Sequence, residues 1–132
     1  LYSEDFSNGL GSEWSDNSQM YFNHPNYGNA AGEYGQAENL ILNLNNMPTG
    51  DSITVSFDLL LFGTWDGHTL NNGPDRFLLN CNGSNEMDAT FSNIDQSTGW
   101  GYNLGQSYPL DWGQGTNPAL TGSYYFANSF RY

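Results

Sequence analysis

Residues 52–80 constrain the fold more than any other stretch. Ile53, Val55, Phe57, Leu59 and Leu61 alternate with Thr54, Ser56, Asp58, Leu60 and Phe62. Period-two spacing is the mark of a β-strand with one face turned to a core. From Leu59 to Phe62 both faces are apolar, which predicts that this end is covered on both sides. The run then breaks into a loop dense in Gly, Asn, Asp and Pro, the residue types that build turns. Residues 77–81 bring an apolar run back. The expected arrangement is a central hairpin-like pair with a long, acidic, Trp-bearing loop at its tip. Long loops on a rigid sheet are where binding residues concentrate.

The rest of the chain repeats this pattern in shorter pieces. Leu40, Leu42 and Leu44 alternate with Ile41, Asn43 and Asn45 and predict a strand, as do residues 76–81 and 87–92. Residues 106–110 predict a short strand. Residues 124–132 predict a long, aromatic closing strand. Residues 23–35, with the cluster His24-Pro25-Asn26-Tyr27-Gly28, are expected to be loop. No apolar spacing of helical period is sustained anywhere, so the expected class is all-β: one antiparallel sandwich or barrel domain over residues 1–132. Cys81, the single cysteine, has no internal disulfide partner and alternates with Phe77 and Leu79, which predicts a small core residue.

Charge narrows the partners. Fourteen carboxylates face two basic residues, for a formal net charge of -12. Nucleic acid and anionic membrane surfaces are disfavoured, because both are held by Lys and Arg. The excess fits either a divalent cation that neutralises clustered carboxylates or a soluble, self-repelling surface. The first residue is Leu, which suggests a processed or partial chain. No signal peptide or membrane-spanning run is visible. Asn82-Gly83-Ser84 is an N-glycosylation sequon set in a turn.

The segment order resembles a family of uncharacterised extracellular jelly-roll modules similar to concanavalin A-like lectin sandwiches. The matching residues are Glu4-Asp5-Phe6, the 40–44 strand and Val55-Ser-Phe-Asp-Leu-Leu-Leu-Phe-Gly-Thr-Trp-Asp-Gly67 with Gly73-Pro-Asp75. Thr90-Phe-Ser-Asn93, Gln106-Ser-Tyr-Pro109 and residues 125–130 follow. The resemblance implies an extracellular or cell-surface module. It also implies two further strands that this sequence lacks, to be supplied by a longer chain or by a neighbouring subunit.

Candidate sites follow from residue chemistry. Asp66, Asn72 and Asp75 put hard oxygens within ten residues on a Gly-bearing turn, as Ca²⁺ requires, and Asp58 adjoins them. Glu4 and Asp5 form a second candidate calcium pair. Trp65, Trp100 and Trp112, with Tyr102, lie in Gly-rich loops and are candidates for stacking sugar rings. Asn82 is the glycosylation candidate. No catalytic residue is assigned. The acids lack the paired spacing of a glycoside hydrolase or lyase, and neither histidine has a nucleophile beside it. The expected function is a non-catalytic, calcium-binding module that recognises carbohydrate or mediates adhesion. The alternative is a structural subunit of a filament or surface assembly, a homo-oligomer completed by donated strands; a second alternative is a glycoside hydrolase or lyase.

Overall fold

The computed structural model describes residues 2–16, 20–24, 28–35, 38–50, 52–68, 73–93, 105–126 and 129–131. Among these, seven strands form three antiparallel sheets and there is no helix, so the class is all-β. The chain divides into two compact units, Leu1–Val55 and Ser56–Tyr132.

In the first unit, β1 (Met20–His24) pairs with β2 (Gly28–Ala31) as a hairpin. The sequence reading assigned this region to loop. Residues 20–22 are apolar, and a turn cluster separates them from Gly28, so the hairpin signal was present but masked by the Asn- and Gly-rich composition. The predicted 40–44 strand is reduced to one bridge, Trp14 with Leu42. Two bonds flank it: the Ser15 N–H donates to the Ile41 carbonyl and the Asn43 N–H to the Glu13 carbonyl, each at 2.8 Å. Trp14 anchors the unit. Its indole N–H donates to the Tyr2 hydroxyl at 2.8 Å, and its ring packs on Tyr2 and Phe6.

In the second unit, β4 (Arg76–Cys81) and β5 (Ser84–Thr90) form the longest hairpin. Asn82 and Gly83 make the turn, both at positive φ (49° and 84°). An Asn-Gly turn of this mirror-image kind matches the natural twist of paired strands, which is why two residues suffice. Burial alternates along β4: Phe77, Leu79 and Cys81 face inward, while Arg76, Leu78 and Asn80 face out. β3 (Leu60–Leu61) pairs with β7 (Ser129–Arg131), and β7 with β6 (Tyr124–Phe126). The expected single closing strand is therefore a hairpin.

The expected pairing of residues 53–62 with 77–81 does not occur. Among the described residues, only Leu60 and Leu61 of that stretch are in a strand. Ile53, Val55 and Phe57 are 61%, 57% and 49% exposed. Leu60 and Leu61 pair with β7 instead. A two-residue turn closes β4 on β5, whereas closing it on residues 53–62 across the 63–75 loop costs about 1–2 kcal/mol more in chain entropy. Leu61 is buried in the core and Leu59 packs against it, while Leu60 and Phe62 are only partly buried.

That core is small. Leu61, Ala89 and Phe91 are buried, and Leu59, Trp65, Phe77, Met87 and Tyr108 pack against them. Phe91 stacks on Tyr108 at 4.9 Å and meets Trp65 and Phe77 edge-on. Beside it lies a buried polar layer. Thr90, Ser92, Gln106 and Ser107 are all 0% exposed. The predicted 106–110 strand is a single bridge, Gln106 with Asn117. The segment is instead held to the end of β5 by side chains. Thr90 and Ser107 bond reciprocally: the Thr90 N–H donates to Ser107 Oγ and the Ser107 N–H to Thr90 Oγ1, each at 2.8 Å. Gln106 Oε1 accepts from the Ser92 and Leu120 N–H groups. Gln106 Nε2 donates to the Tyr108 and Thr121 carbonyls.

Gln106→Leu fills the same space and takes away these four bonds. The Leu120 N–H and the Tyr108 carbonyl keep second partners in the Ser92 carbonyl and Asn117 Nδ2. The cost of the other two losses is about 2–6 kcal/mol, at roughly 1–3 kcal/mol per deprived buried group. Urea denaturation checks this. A Gln106→Leu variant as stable as the wild type would show that the polar layer does not hold the unit together.

Candidate functional site

Local geometry builds the 66–75 turn. Gly67 is buried with φ of 60°. A Cβ there would run into the Gly105 carbonyl and the Ser92 side chain, so only glycine lets the two segments approach. The His68 N–H donates to the Gly105 carbonyl at 2.9 Å, and the Asp75 N–H to the Gly67 carbonyl at 3.2 Å. Asp66 bridges Ser92 across the sheet edge.

This turn brings Asp66 and Asp75 together. The Asp66 N–H donates to Asp75 Oδ2. Burial pushes the Asp75 carboxyl above the ordinary aspartate range; that hydrogen bond opposes the shift, and the Asp66 charge adds to it. Asn72, the third predicted ligand, lies outside the described residues. Asp58 is exposed and is not among the groups acting on Asp75. Glu4 and Asp5 belong to the first unit. Each closes a local turn: Glu4 Oε1 accepts from the Phe6 N–H and Asp5 Oδ1 from the Ser7 N–H, both at 2.9 Å. The Ser7 N–H, followed by the Ser7 side chain, holds Asp5 below the usual carboxylate range. Among the described residues, no three His, Cys, Asp or Glu side chains form a group that could hold a metal. What the turn supplies toward calcium is a pair, Asp66 and Asp75, with one oxygen of Asp75 committed to a backbone N–H.

The tryptophans separate by environment. Trp65 is half-buried and packed against the core. Its indole N–H donates to the Phe62 carbonyl at 3.1 Å, and its backbone N–H to Asn93 Oδ1 at 2.9 Å. Trp100 and Tyr102 lie outside the described residues. Trp112 is partly exposed and surrounded by polar groups. The His68 ring lies 5.1 Å away and the Arg76 guanidinium 5.9 Å from the indole centre. Arg76 grips Asp88 with two bonds, Nε to Oδ1 at 2.9 Å and Nη2 to Oδ2. The pair is diagonal across the β4–β5 ladder, since Leu78 stands opposite Asp88. The Trp112 N–H donates to the Asp88 carbonyl at 2.6 Å. Asp111 accepts from the Asp88 N–H and from Gln114 Nε2.

His68, Arg76, Asp88 and Asp111 were not singled out as site residues from the sequence. One signal was available: Arg76 is one of only two basic residues among fourteen acids, so its partner was bound to be structural or functional. His68 shares a 3.4 Å contact from Nδ1 to Thr90 Oγ1. Its Nε2 is buried with no hydrogen-bond partner among the described residues.

No family model matches the chain, and no curated protein or solved structure matches it either.

The Asp75 shift gives a pH prediction. Because the folded-state pKa is raised, the native state holds a proton that the unfolded chain has released. The contribution is therefore full at acid pH and is lost as pH rises upward from about 3.9, the ordinary aspartate value. Asp75→Asn keeps an oxygen for the Asp66 N–H and removes the titration. In EDTA, wild-type stability falls relative to Asp75→Asn as pH rises through this window. Parallel pH profiles of the two proteins, measured by urea denaturation, would contradict the assignment.

Proposed function

We propose that this chain is a non-catalytic, extracellular β-sandwich module of the jelly-roll type that recognises carbohydrate, with Trp112 as its sugar platform. The observation that carries the reading is the setting of Trp112. A partly exposed indole with His68, Arg76, Asp88, Asp111 and Gln114 about it combines an apolar face with planar hydrogen-bonding groups. Sugar rings offer matching surfaces, C–H faces for stacking and hydroxyls for bidentate contacts. The Arg76–Asp88 bonds hold the guanidinium in place, which reduces the entropy lost on binding. The net charge of -12 favours neutral over acidic polysaccharides.

Calcium is the accessory in this reading, held by Asp66, Asp75 and Asn72. Burial raises the Asp75 pKa first and the Asp66 charge adds to it; a cation there offsets that charge. Backbone carbonyls and solvent complete the six to eight oxygens it takes.

A second reading, a subunit of a homo-oligomeric surface assembly, is favoured by one observation. Ile53, Val55 and Phe57 are apolar, alternating and exposed. Such a segment has the side-chain pattern of a strand that pairs with another chain.

Affinity measurement on a panel of neutral and acidic polysaccharides, with calcium and with EDTA, tests the first reading. Trp112→Ala loses about ten-fold or more in affinity, equivalent to about 1.4 kcal/mol. Asp66→Ala reproduces the effect of EDTA. Absence of binding to every polysaccharide, or full binding by Trp112→Ala, removes the sugar platform. Light scattering tests the second reading: it predicts a concentration-dependent oligomer that Val55→Asp dissociates, and a wild-type monomer at all concentrations contradicts it.

A further inference from the structure

The β4–β5 turn carries chemistry that the sugar platform does not use. We propose that Asn82 is an N-glycan acceptor, so that this hairpin bears a covalent oligosaccharide at its apex; the inference rests on the extracellular reading. Asn82-Gly83-Ser84 satisfies the acceptor pattern, in which the middle residue is anything but proline and the third is Ser or Thr. Its place in the fold is what gives the pattern weight. Cys81 and Ser84 form the last pair of the ladder, so Asn82 and Gly83 stand beyond the end of the sheet. Every residue from Asn82 to Glu86 is exposed. A Cβ added to Gly83 would meet no heavy atom of the described residues beyond its chain neighbours within 4 Å.

The reaction asks nothing of the fold except access. Asn82 Nδ2 forms a bond to C1 of an oligosaccharide carried on a lipid pyrophosphate. The bond from C1 to the pyrophosphate oxygen breaks, the pyrophosphate leaves with the electron pair, and Nδ2 gives up one proton. The acceptor is separated from Arg76, beside Trp112, by the length of β4, about 20 Å for six steps at roughly 3.3 Å each. A glycan at the apex therefore leaves Arg76, Asp88 and Trp112 clear. It also covers the end of a hairpin whose outer face exposes Leu78.

The test is secretion of the full chain from a eukaryotic host, with glycosylation in translation-coupled microsomes as a second readout that does not require export. Intact mass should show one glycan on most molecules. Digestion with a peptide N-glycosidase in ¹⁸O-water should remove it and leave ¹⁸O-labelled Asp at position 82. That label separates deglycosylation from spontaneous deamidation of the Asn-Gly pair, which occurs before the digest and leaves unlabelled Asp. Asn82→Gln and Ser84→Ala should both lack the glycan. A chain without glycan in both systems, or a glycan that survives Ser84→Ala, overturns the inference. Loss of the glycan with polysaccharide binding intact would leave the Trp112 reading standing. A glycosylated chain that binds no polysaccharide would do the reverse.

Discussion

The second unit depends on one buried side chain, Gln106. Its amide joins four backbone groups from three segments: Ser92 after β5, Tyr108 beside it, and Leu120 and Thr121 from the next turn. A buried amide is expensive to leave unsatisfied and stabilising when fully bonded. Here it substitutes for a strand. On the side away from β4, the end of β5 has no ladder neighbour among the described residues. Gln106, the reciprocal Thr90–Ser107 pair and one backbone bond, from the Tyr108 N–H to the Thr90 carbonyl, tie residues 105–108 alongside it.

The candidate site inherits its geometry from this arrangement. Residues 105–108 and 90–92 fix the turn that carries Asp66 and His68, because Gly67 must pass against Gly105. The β4–β5 hairpin sets Arg76 diagonally across from Asp88, and the Asp88 carbonyl then takes the Trp112 N–H. Trp112 is thus placed by backbone bonds and flanked by groups held in their own contacts. That is the condition under which a surface aromatic binds without a large ordering cost.

The all-β class and the β4–β5 hairpin were legible in the sequence; the 40–44 and 106–110 strands, each reduced to one bridge, and the β1–β2 hairpin were not. Strand β4 was legible residue by residue, because alternation and burial share the same period. The Asn82-Gly83 turn was legible for the same local reason. The pairing of residues 53–62 was not, since alternation says that a segment suits a sheet and not which neighbour it will find. The alternating Ile53–Phe57 run was read as core and is exposed. Among the site residues, the approach of Asp66 to Asp75 followed from a tight Gly-bearing turn. Trp65 and Trp112 looked alike in sequence, each in a Gly-rich loop. Only the fold separates them, one closing over Phe91 and the other standing beside Arg76. Arg76–Asp88 was hidden because a diagonal cross-strand pair requires the register to be known.

The account's central claim is that the surface around Trp112 is where this chain meets its ligand. Two-dimensional ¹H–¹⁵N NMR of the labelled chain, titrated with a soluble neutral oligosaccharide in calcium, reads that surface directly. The account predicts that the Trp112 indole N–H and the backbone amides of His68, Arg76, Asp88 and Asp111 shift together and saturate with one affinity, while the amides of Ile53, Val55 and Asn82 stay fixed. Saturable shifts confined to residues 52–58, or a spectrum unchanged by every oligosaccharide tried, would contradict it.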